Sequence, residues 1–175
     1  SNVVASQAEV HQRFGGVVPE VASRSHIDTL NPVIKAALAD AGIGYGELDA
    51  VAVTQGPGLL GSLLVGLMAA KSISFSAGIP LIAVDHIEAH ICAGFLERPE
   101  LRFPFVAMVV SGGHTDLVYA TGHSEFYLVG QTLDDAAGEC FDKVARVLGL
   151  GYPGGPLIEH LAREGRRGCR HRPVD

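Results

Sequence analysis

The sequence lacks the features that mark several classes of protein. It has no tryptophan, and its three cysteines are far apart and form no CxxC pair, which suits free thiols better than a disulfide framework. The longest apolar run, 59–70, is interrupted by glycine and serine and is shorter than a membrane span. No amino-terminal export signal is visible. We therefore predict a cytoplasmic protein without a membrane segment.

Positive charge is also scarce. The net charge is −6, and four of the 13 basic residues are arginines in the last ten positions, so the rest of the chain is more acidic still. An acidic surface repels nucleic acid. Any contact with RNA is therefore expected from a local patch or from another subunit.

Apolar residues make up 47% of the chain, enough for a core, and their spacing alternates between strand and helix periods. Helices are predicted at 20–41, where Pro32 could divide the helix in two, and at 63–77, 86–96, 133–148 and from 157; the second is expected to be buried. Strands are predicted at 49–54, 81–84, 105–110, 115–120 and 126–129. We predict an α/β protein with partly parallel strands in two incomplete lobes, 1–103 and 104–165, and an atypical basic tail at 166–175.

The most distinctive local motif is HIEAH, which directly follows a predicted strand. His86 and His90 stand at i and i+4, share one helix face and could bind one metal ion. Glu88 lies about 200° around the helix, where it cannot act as a metalloprotease base. With Asp85 as N-cap, Glu88 is expected to complete a capping box. The sequence does not show a third ligand, and the alternative is a solvated first turn that binds nothing.

A second motif joins two predicted strands and consists of Val109, Val110, Ser111, Gly112 and Gly113. Glycines let the backbone adopt positive φ and bring its N–H groups against an anionic oxygen. The alternative is a simple hairpin turn that needs Gly-Gly for its twist.

Three acidic residues, Asp135, Glu139 and Asp142, lie along one side of a predicted helix. Such a stripe is usually a solvated face, although a carboxylate there could hold a ribose hydroxyl or a substrate amine if the helix lines a cleft. The glycine-proline loop at 152–156 could let the backbone approach a ligand, or could merely link two helices.

Six motifs in order carry a resemblance to a known family: FGGVVPEVASRSH, TQGPGLLGSLLVG, HIEAH, VSGGHT, DDAAGECFDKVARVLGL and YPGGP. Together they resemble the TsaD family, the transferases that make N6-threonylcarbamoyladenosine in tRNA. The resemblance implies the actin-like, sugar-kinase and heat-shock-chaperone ATPase fold, in which two related α/β lobes close over a nucleotide.

The resemblance also implies roles for individual residues. His86 and His90 match the family's ligands for one iron or zinc ion, and 109–113 matches its phosphate-binding loop. Further substrate or nucleotide positions fall on Asp142, Gly155 and Glu159. The substrate would be threonylcarbamoyl-AMP, whose threonylcarbamoyl group passes to N6 of the adenosine adjacent to the anticodon. The expected partners are tRNA and TsaB-like and TsaE-like proteins.

The sequence departs from the family in extent, since family members are roughly twice as long. The first strands and phosphate turn are not found, nor is the second half with its aspartate metal ligand. We therefore expect a fragment that is inactive or weakly active alone. A noncatalytic TsaB-like binding module is the alternative, and the histidine pair argues against it because such a module has no use for metal ligands.

Overall fold

The computed structural model describes residues 1–165, so the predicted basic tail at 166–175 lies outside the described residues. In chain order the helices and strands are α1 (Ala8–Gln12), α2 (Pro19–Ala41), β1 (Val51–Gly56), α3 (Leu60–Ala77), β2 (Leu81–Asp85), α4 (His86–Glu97), β3 (Phe105–Val110), β4 (Thr115–Gly122), β5 (Glu125–Gln131), α5 (Ala137–Val147) and α6 (Gly154–Glu164). A short 3₁₀ turn at Tyr45–Glu47 precedes β1.

The strands form two sheets of different kinds. β1 and β2 run parallel, with Val51 opposite Leu81, and α3 makes the crossover that parallel neighbours require. β3, β4 and β5 form an antiparallel sheet in that order. The expected α/β class with partly parallel strands is confirmed. The first sheet falls within 1–103 and the second within 104–165, and a division into lobes at that point stays a prediction.

Helix α4 connects the two sheets. It begins at the end of β2, and its Ile87 and Ile91 pack against the antiparallel sheet at Val109 and Val118. Ile91, Val109 and Val118 are buried. Because these apolar contacts fix how α4 lies on β3 and β4, they also determine where the polar residues of its first turns are held.

Helix α2 differs from its prediction because it continues through Pro32. A proline inside a helix removes one backbone hydrogen bond and costs roughly 3 kcal/mol. The helix nevertheless continues past Pro32, because the other turns of its 23 residues keep their backbone hydrogen bonds. It ends at Gly42, which lies in the left-handed region at φ 69°.

Helix α3 differs in its burial. It was expected to be a buried helix, and only Ala70 is buried, whereas Leu60, Met68 and Phe75 are 72%, 58% and 91% exposed. The prediction was wrong because α3 is apolar all round but is covered mainly by α2 and β1, which leaves much of its apolar surface exposed. Within residues 1–165 it is the one helix long and apolar enough to cross a membrane, a test that core helices of soluble proteins also pass.

Helix α5 begins at Ala137, four residues later than predicted. The preceding residues are held in a turn, because the hydroxyl of Thr132 donates to the carbonyl of Asp135 at 2.8 Å. The amide of Ala137 then donates to the Thr115 hydroxyl at 2.8 Å. The start of α5 is therefore set by a contact with β4, which helical periodicity does not reveal.

Candidate metal and phosphate site

The first turn of α4 is fixed by its N-cap. The Asp85 carboxylate accepts hydrogen bonds from the amides of Ile87 at 2.8 Å and Glu88 at 3.1 Å. Within residues 1–165 the Asp85 amide does not donate the expected return hydrogen bond to the Glu88 carboxylate, and Glu88 is exposed. Only half of the predicted capping box therefore forms, which suffices to define the helix start.

The imidazoles of His86 and His90 meet on one side of α4. Their Nε2 atoms are 3.2 Å apart, and their ring centroids are 4.5 Å apart. Two nitrogens bound to one tetrahedral zinc at about 2.0–2.1 Å would be about 3.3–3.4 Å apart. The two imidazoles could therefore bind one ion with little movement. Without an ion, the same distance between the two Nε2 atoms corresponds to an N–H···N hydrogen bond between the rings. The predicted placement of both rings on one helix side is confirmed, and metal binding itself stays a prediction.

The pair lacks a third protein ligand in the described part of the chain. Within residues 1–165 no group of three or more histidine, cysteine, aspartate or glutamate residues is arranged to hold a metal. An ion held by His86 and His90 alone would take the rest of its coordination sphere from water, substrate or other protein groups.

The surroundings of His86 favour its neutral form. Burial lowers the pKa of His86. The neighbouring imidazoles of His90 and His114 lower this pKa further, and only the Asp85 carboxylate raises it. A neutral imidazole keeps a lone pair available for a cation. The electrostatics of the first turn are therefore compatible with a metal ligand at this position.

The segment at 111–114 forms the hairpin turn expected between β3 and β4. The last paired residues are Val110 and Thr115, and the Ser111 amide donates to the His114 carbonyl at 2.8 Å. The Ser111 hydroxyl accepts from the amides of Gly113 at 3.3 Å and His114 at 3.0 Å. Val109 is buried and Val110 is 51% exposed. Because the Val109 side chain packs in the core, this residue could contact a ligand only through its backbone.

Helix α5 begins directly against this hairpin. The amide of Gly138 donates to the Ser111 carbonyl at 3.0 Å. A Cβ atom on Gly138 would lie 2.6 Å from that carbonyl oxygen and 2.8 Å from the Gly112 nitrogen, so glycine is needed for the approach. The hairpin therefore lies at the N-terminal end of α5, where helix dipoles favour anions.

The acidic stripe divides between two functions. Asp135 and Glu139 both bind Lys143, at 2.6 and 3.2 Å, and the hydrogen bonds that the Lys143 ammonium donates to these carboxylates raise its pKa. Asp142 instead accepts a hydrogen bond from the Gly154 amide at 2.7 Å, at the start of α6. Two of the three acids thus form a solvated ion-pair group, and the third joins α5 to α6.

The remaining predicted positions lie on the first turns of α6. A Cβ atom on Gly155 would meet no atom within 4 Å, so this backbone is open to approach. Glu159 is exposed and pairs with Arg163 at 2.6 Å. Asp142 is one turn beyond Gly138 on the same face of α5, so the hairpin, Asp142 and the start of α6 follow one side of that helix.

Two positions that matter to this geometry were not singled out from the sequence. His114 brings a third imidazole near the pair, with its ring centroid 6.4 Å from that of His86. Gly138 permits the contact between the hairpin and α5. His114 belongs to the SGGHT motif and Gly138 to the DDAAGE motif. Their roles become visible only once α4 and α5 are packed on the hairpin.

Replacing Gly138 with alanine should destabilise the protein. The added Cβ would overlap the hairpin backbone, and overpacking of this kind costs about 1–3 kcal/mol, which outweighs the roughly 1 kcal/mol that alanine contributes to helix propensity. Urea unfolding followed by circular dichroism measures the change. Gly46→Ala is the matched control, because its Cβ would meet nothing within 4 Å. Equal stability of the two variants would contradict the close contact between hairpin and helix.

The structure therefore defines an α/β protein in which two adjacent imidazoles lie beside a glycine hairpin, and the hairpin lies at the start of α5. The family model for TsaD, tRNA N6-adenosine threonylcarbamoyltransferase, matches residues 1–174, and the chain belongs to this family. The resemblance drawn from the six motifs is thereby confirmed.

Curated relatives agree with that assignment. The chain is 59% identical over 165 residues to the tRNA N6-adenosine threonylcarbamoyltransferase of Symbiobacterium thermophilum, and 60% identical to that of Moorella thermoacetica. Each alignment covers 94% of this chain and 48% of the relative. The chain thus spans about half the length of the curated relatives it matches.

The likeness to solved structures is more distant. YeaZ from Pseudomonas aeruginosa aligns with 61% of this chain and 51% of its own, with a TM-score of 0.46 and 19% sequence identity. That likeness is too weak to support an argument about function.

Proposed function

We propose that this chain provides the metal-binding and phosphate-binding part of a tRNA N6-adenosine threonylcarbamoyltransferase. The reaction transfers the threonylcarbamoyl group of threonylcarbamoyl-AMP to N6 of the adenosine adjacent to the anticodon. Family membership supports the activity. The single structural observation that carries the proposal is the 3.2 Å approach of the His86 and His90 nitrogens next to the glycine hairpin.

The residues would divide the work between metal and phosphate. His86 and His90 would hold one iron or zinc ion, which as a Lewis acid would polarise an oxygen of the bound substrate. The backbone of 109–113 would bind the phosphate, helped by the N-terminal end of α5, where Gly138 allows close approach. Asp142, Gly155 and Glu159 would contact the rest of the nucleotide along α5 and α6.

The proposed partners are tRNA and TsaB-like and TsaE-like proteins in the cytoplasm. With a net charge of −6 the chain has no general attraction for RNA. The proposal therefore assigns much of the tRNA-binding surface to a local basic patch or to partner subunits. Against the alternative of a noncatalytic binding module, the chain keeps both imidazoles in a geometry suited to one ion.

A hybrid protein tests the activity directly. Residues 1–165 of this chain would replace the matching segment of the full-length Moorella thermoacetica relative, to which the chain is 60% identical. Synthetic threonylcarbamoyl-AMP and unmodified tRNA are supplied with the partner proteins, and modified nucleoside is quantified by mass spectrometry. Turnover close to that of the unaltered relative is expected. A hybrid that folds and binds tRNA but produces no modified nucleoside would contradict the proposal.

A further inference from the structure

The imidazole of His114 is the third histidine ring at the proposed site, and the site described so far gives it no function. Its ring centroid is 6.4 Å from that of His86, and the two ring planes are inclined at 60°. His114 comes from the hairpin between β3 and β4, whereas His86 comes from α4. Two separate elements therefore bring histidines to the same place.

The backbone of His114 is held at each of its polar groups. Its amide donates to the Ser111 hydroxyl at 3.0 Å. Its carbonyl accepts from the Ser111 amide at 2.8 Å and from the Thr115 hydroxyl at 2.9 Å. The Thr115 hydroxyl in turn accepts from the Ala137 amide at 2.8 Å, which joins the turn to α5. The position of His114 is thus fixed by the hairpin and by α5 together.

The distance from His86 distinguishes between two roles. The rings of His86 and His90 are 4.5 Å apart, in keeping with two ligands of one ion, but His114 stands about 2 Å farther from His86. A direct hydrogen bond between the two rings is also too long at this separation. One oxygen atom between them, with contacts of about 2.8 Å on each side, would fill the gap.

We propose that His114 contacts the substrate, donating a ring N–H hydrogen bond to an anionic oxygen held between it and the histidine pair, without binding the metal itself. This inference rests on the proposed function of the site. The ligand is a carboxylate or a phosphate oxygen, and threonylcarbamoyl-AMP contains both. By fixing that oxygen beside the hairpin, His114 would orient the threonylcarbamoyl group for transfer.

Binding measurements on the whole chain test this role without relying on turnover. Cobalt(II) is titrated first, and its visible absorption reports binding to the histidine pair. With cobalt(II) present, AMP serves as the phosphate probe and N-carbamoylthreonine as the carboxylate probe, each titrated by ligand-observed NMR. The proteins compared are the unaltered chain and the variants His114→Ala, His114→Gln, His86→Ala and His160→Ala; the last is an exposed histidine on α6 and serves as the matched control.

The expected result separates ligand binding from metal binding. His114→Ala should weaken one probe by about 10-fold, the usual effect of losing one hydrogen bond to a charged group, and should change cobalt(II) affinity by less than about 3-fold. His114→Gln, which keeps a donor and an acceptor, should recover part of the loss. The probe that is weakened identifies the oxygen as phosphate or carboxylate. Circular dichroism establishes that each variant is folded.

Three outcomes would overturn the inference. Unchanged binding of both probes by His114→Ala would leave the histidine a structural role only. A cobalt(II) loss as large as that of His86→Ala would make it a metal ligand. If the unaltered chain binds cobalt(II) but neither probe, the proposed phosphate site is wrong and the inference about His114 is wrong with it. If the unaltered chain binds a probe and His114→Ala binds it equally well, only the inference about His114 is wrong, and the proposed function is unaffected.

Discussion

Replacing both His86 and His90 with alanine should lower the affinity of the chain for cobalt(II) or zinc by at least about 100-fold. Loss of a single outer-shell partner of a metal ligand already costs about 10–100-fold, and here both imidazoles would be removed. Within residues 1–165 no group of three or more histidine, cysteine, aspartate or glutamate residues is arranged to hold a metal in their place. Competition with a chromophoric chelator measures the change, and cobalt(II) absorption reports the coordination directly.

Two controls make the result specific to the pair. His160→Ala removes an exposed histidine that pairs with Glu164 at 3.5 Å on α6, and it should bind cobalt(II) as the unaltered chain does. Each single variant should fall between the unaltered chain and the double variant, because one imidazole remains. Retained affinity in the double variant would mean that the 3.2 Å contact is only a hydrogen bond between rings and that the metal binds elsewhere.

The local parts of this site could be predicted from sequence spacing. The interval between His86 and His90 places both rings on one helix side, and an acidic residue just before the first turn predicts its N-cap. Both features depend only on helix geometry within a few residues, and the structure shows both. The Gly-Gly hairpin was predictable for the same reason, because its turn needs only residues adjacent in the chain.

The long-range parts could not be predicted in this way. His114 approaches His86 because Ile87 and Ile91 pack α4 on Val109 and Val118 of the antiparallel sheet. That packing joins residues far apart in the sequence, and no periodicity reports it. The late start of α5 has a similar origin, since the contact between Ala137 and Thr115 overrides a helical pattern that extends back to residue 133.

The family resemblance and the structure assign different contacts to Asp142. The resemblance places a substrate-binding group at Asp142, and the structure shows that its carboxylate already holds the Gly154 amide at 2.7 Å. One carboxylate can accept several hydrogen bonds, so both roles are compatible. In that arrangement Asp142 would position Gly155 as well as contact a nucleotide, and it would connect the two helices along which the ligand is proposed to lie.

The 175-residue chain alone should not modify tRNA at a useful rate, even with TsaB-like and TsaE-like partners supplied. The proposed histidine pair would give a metal only two protein ligands within residues 1–165, so affinity should be well below that of a site with three protein ligands. The chain also spans about half the length of its curated relatives, which leaves the groups in their other half unavailable to the nucleotide. Loss of preorganised donors around a reacting group typically costs about 10²–10³-fold for each donor.

The measurement compares this chain with the hybrid protein under identical conditions, with synthetic threonylcarbamoyl-AMP, unmodified tRNA and detection of modified nucleoside by mass spectrometry. We expect the chain alone to reach less than about 1% of the hybrid's rate, since removal of even one preorganised donor would have that effect. Weak binding of metal and AMP should persist, because His86, His90 and the hairpin are all present. A rate equal to that of the hybrid would mean that these residues, with the partners, complete the site, and the third metal ligand would then have to be sought on a partner protein.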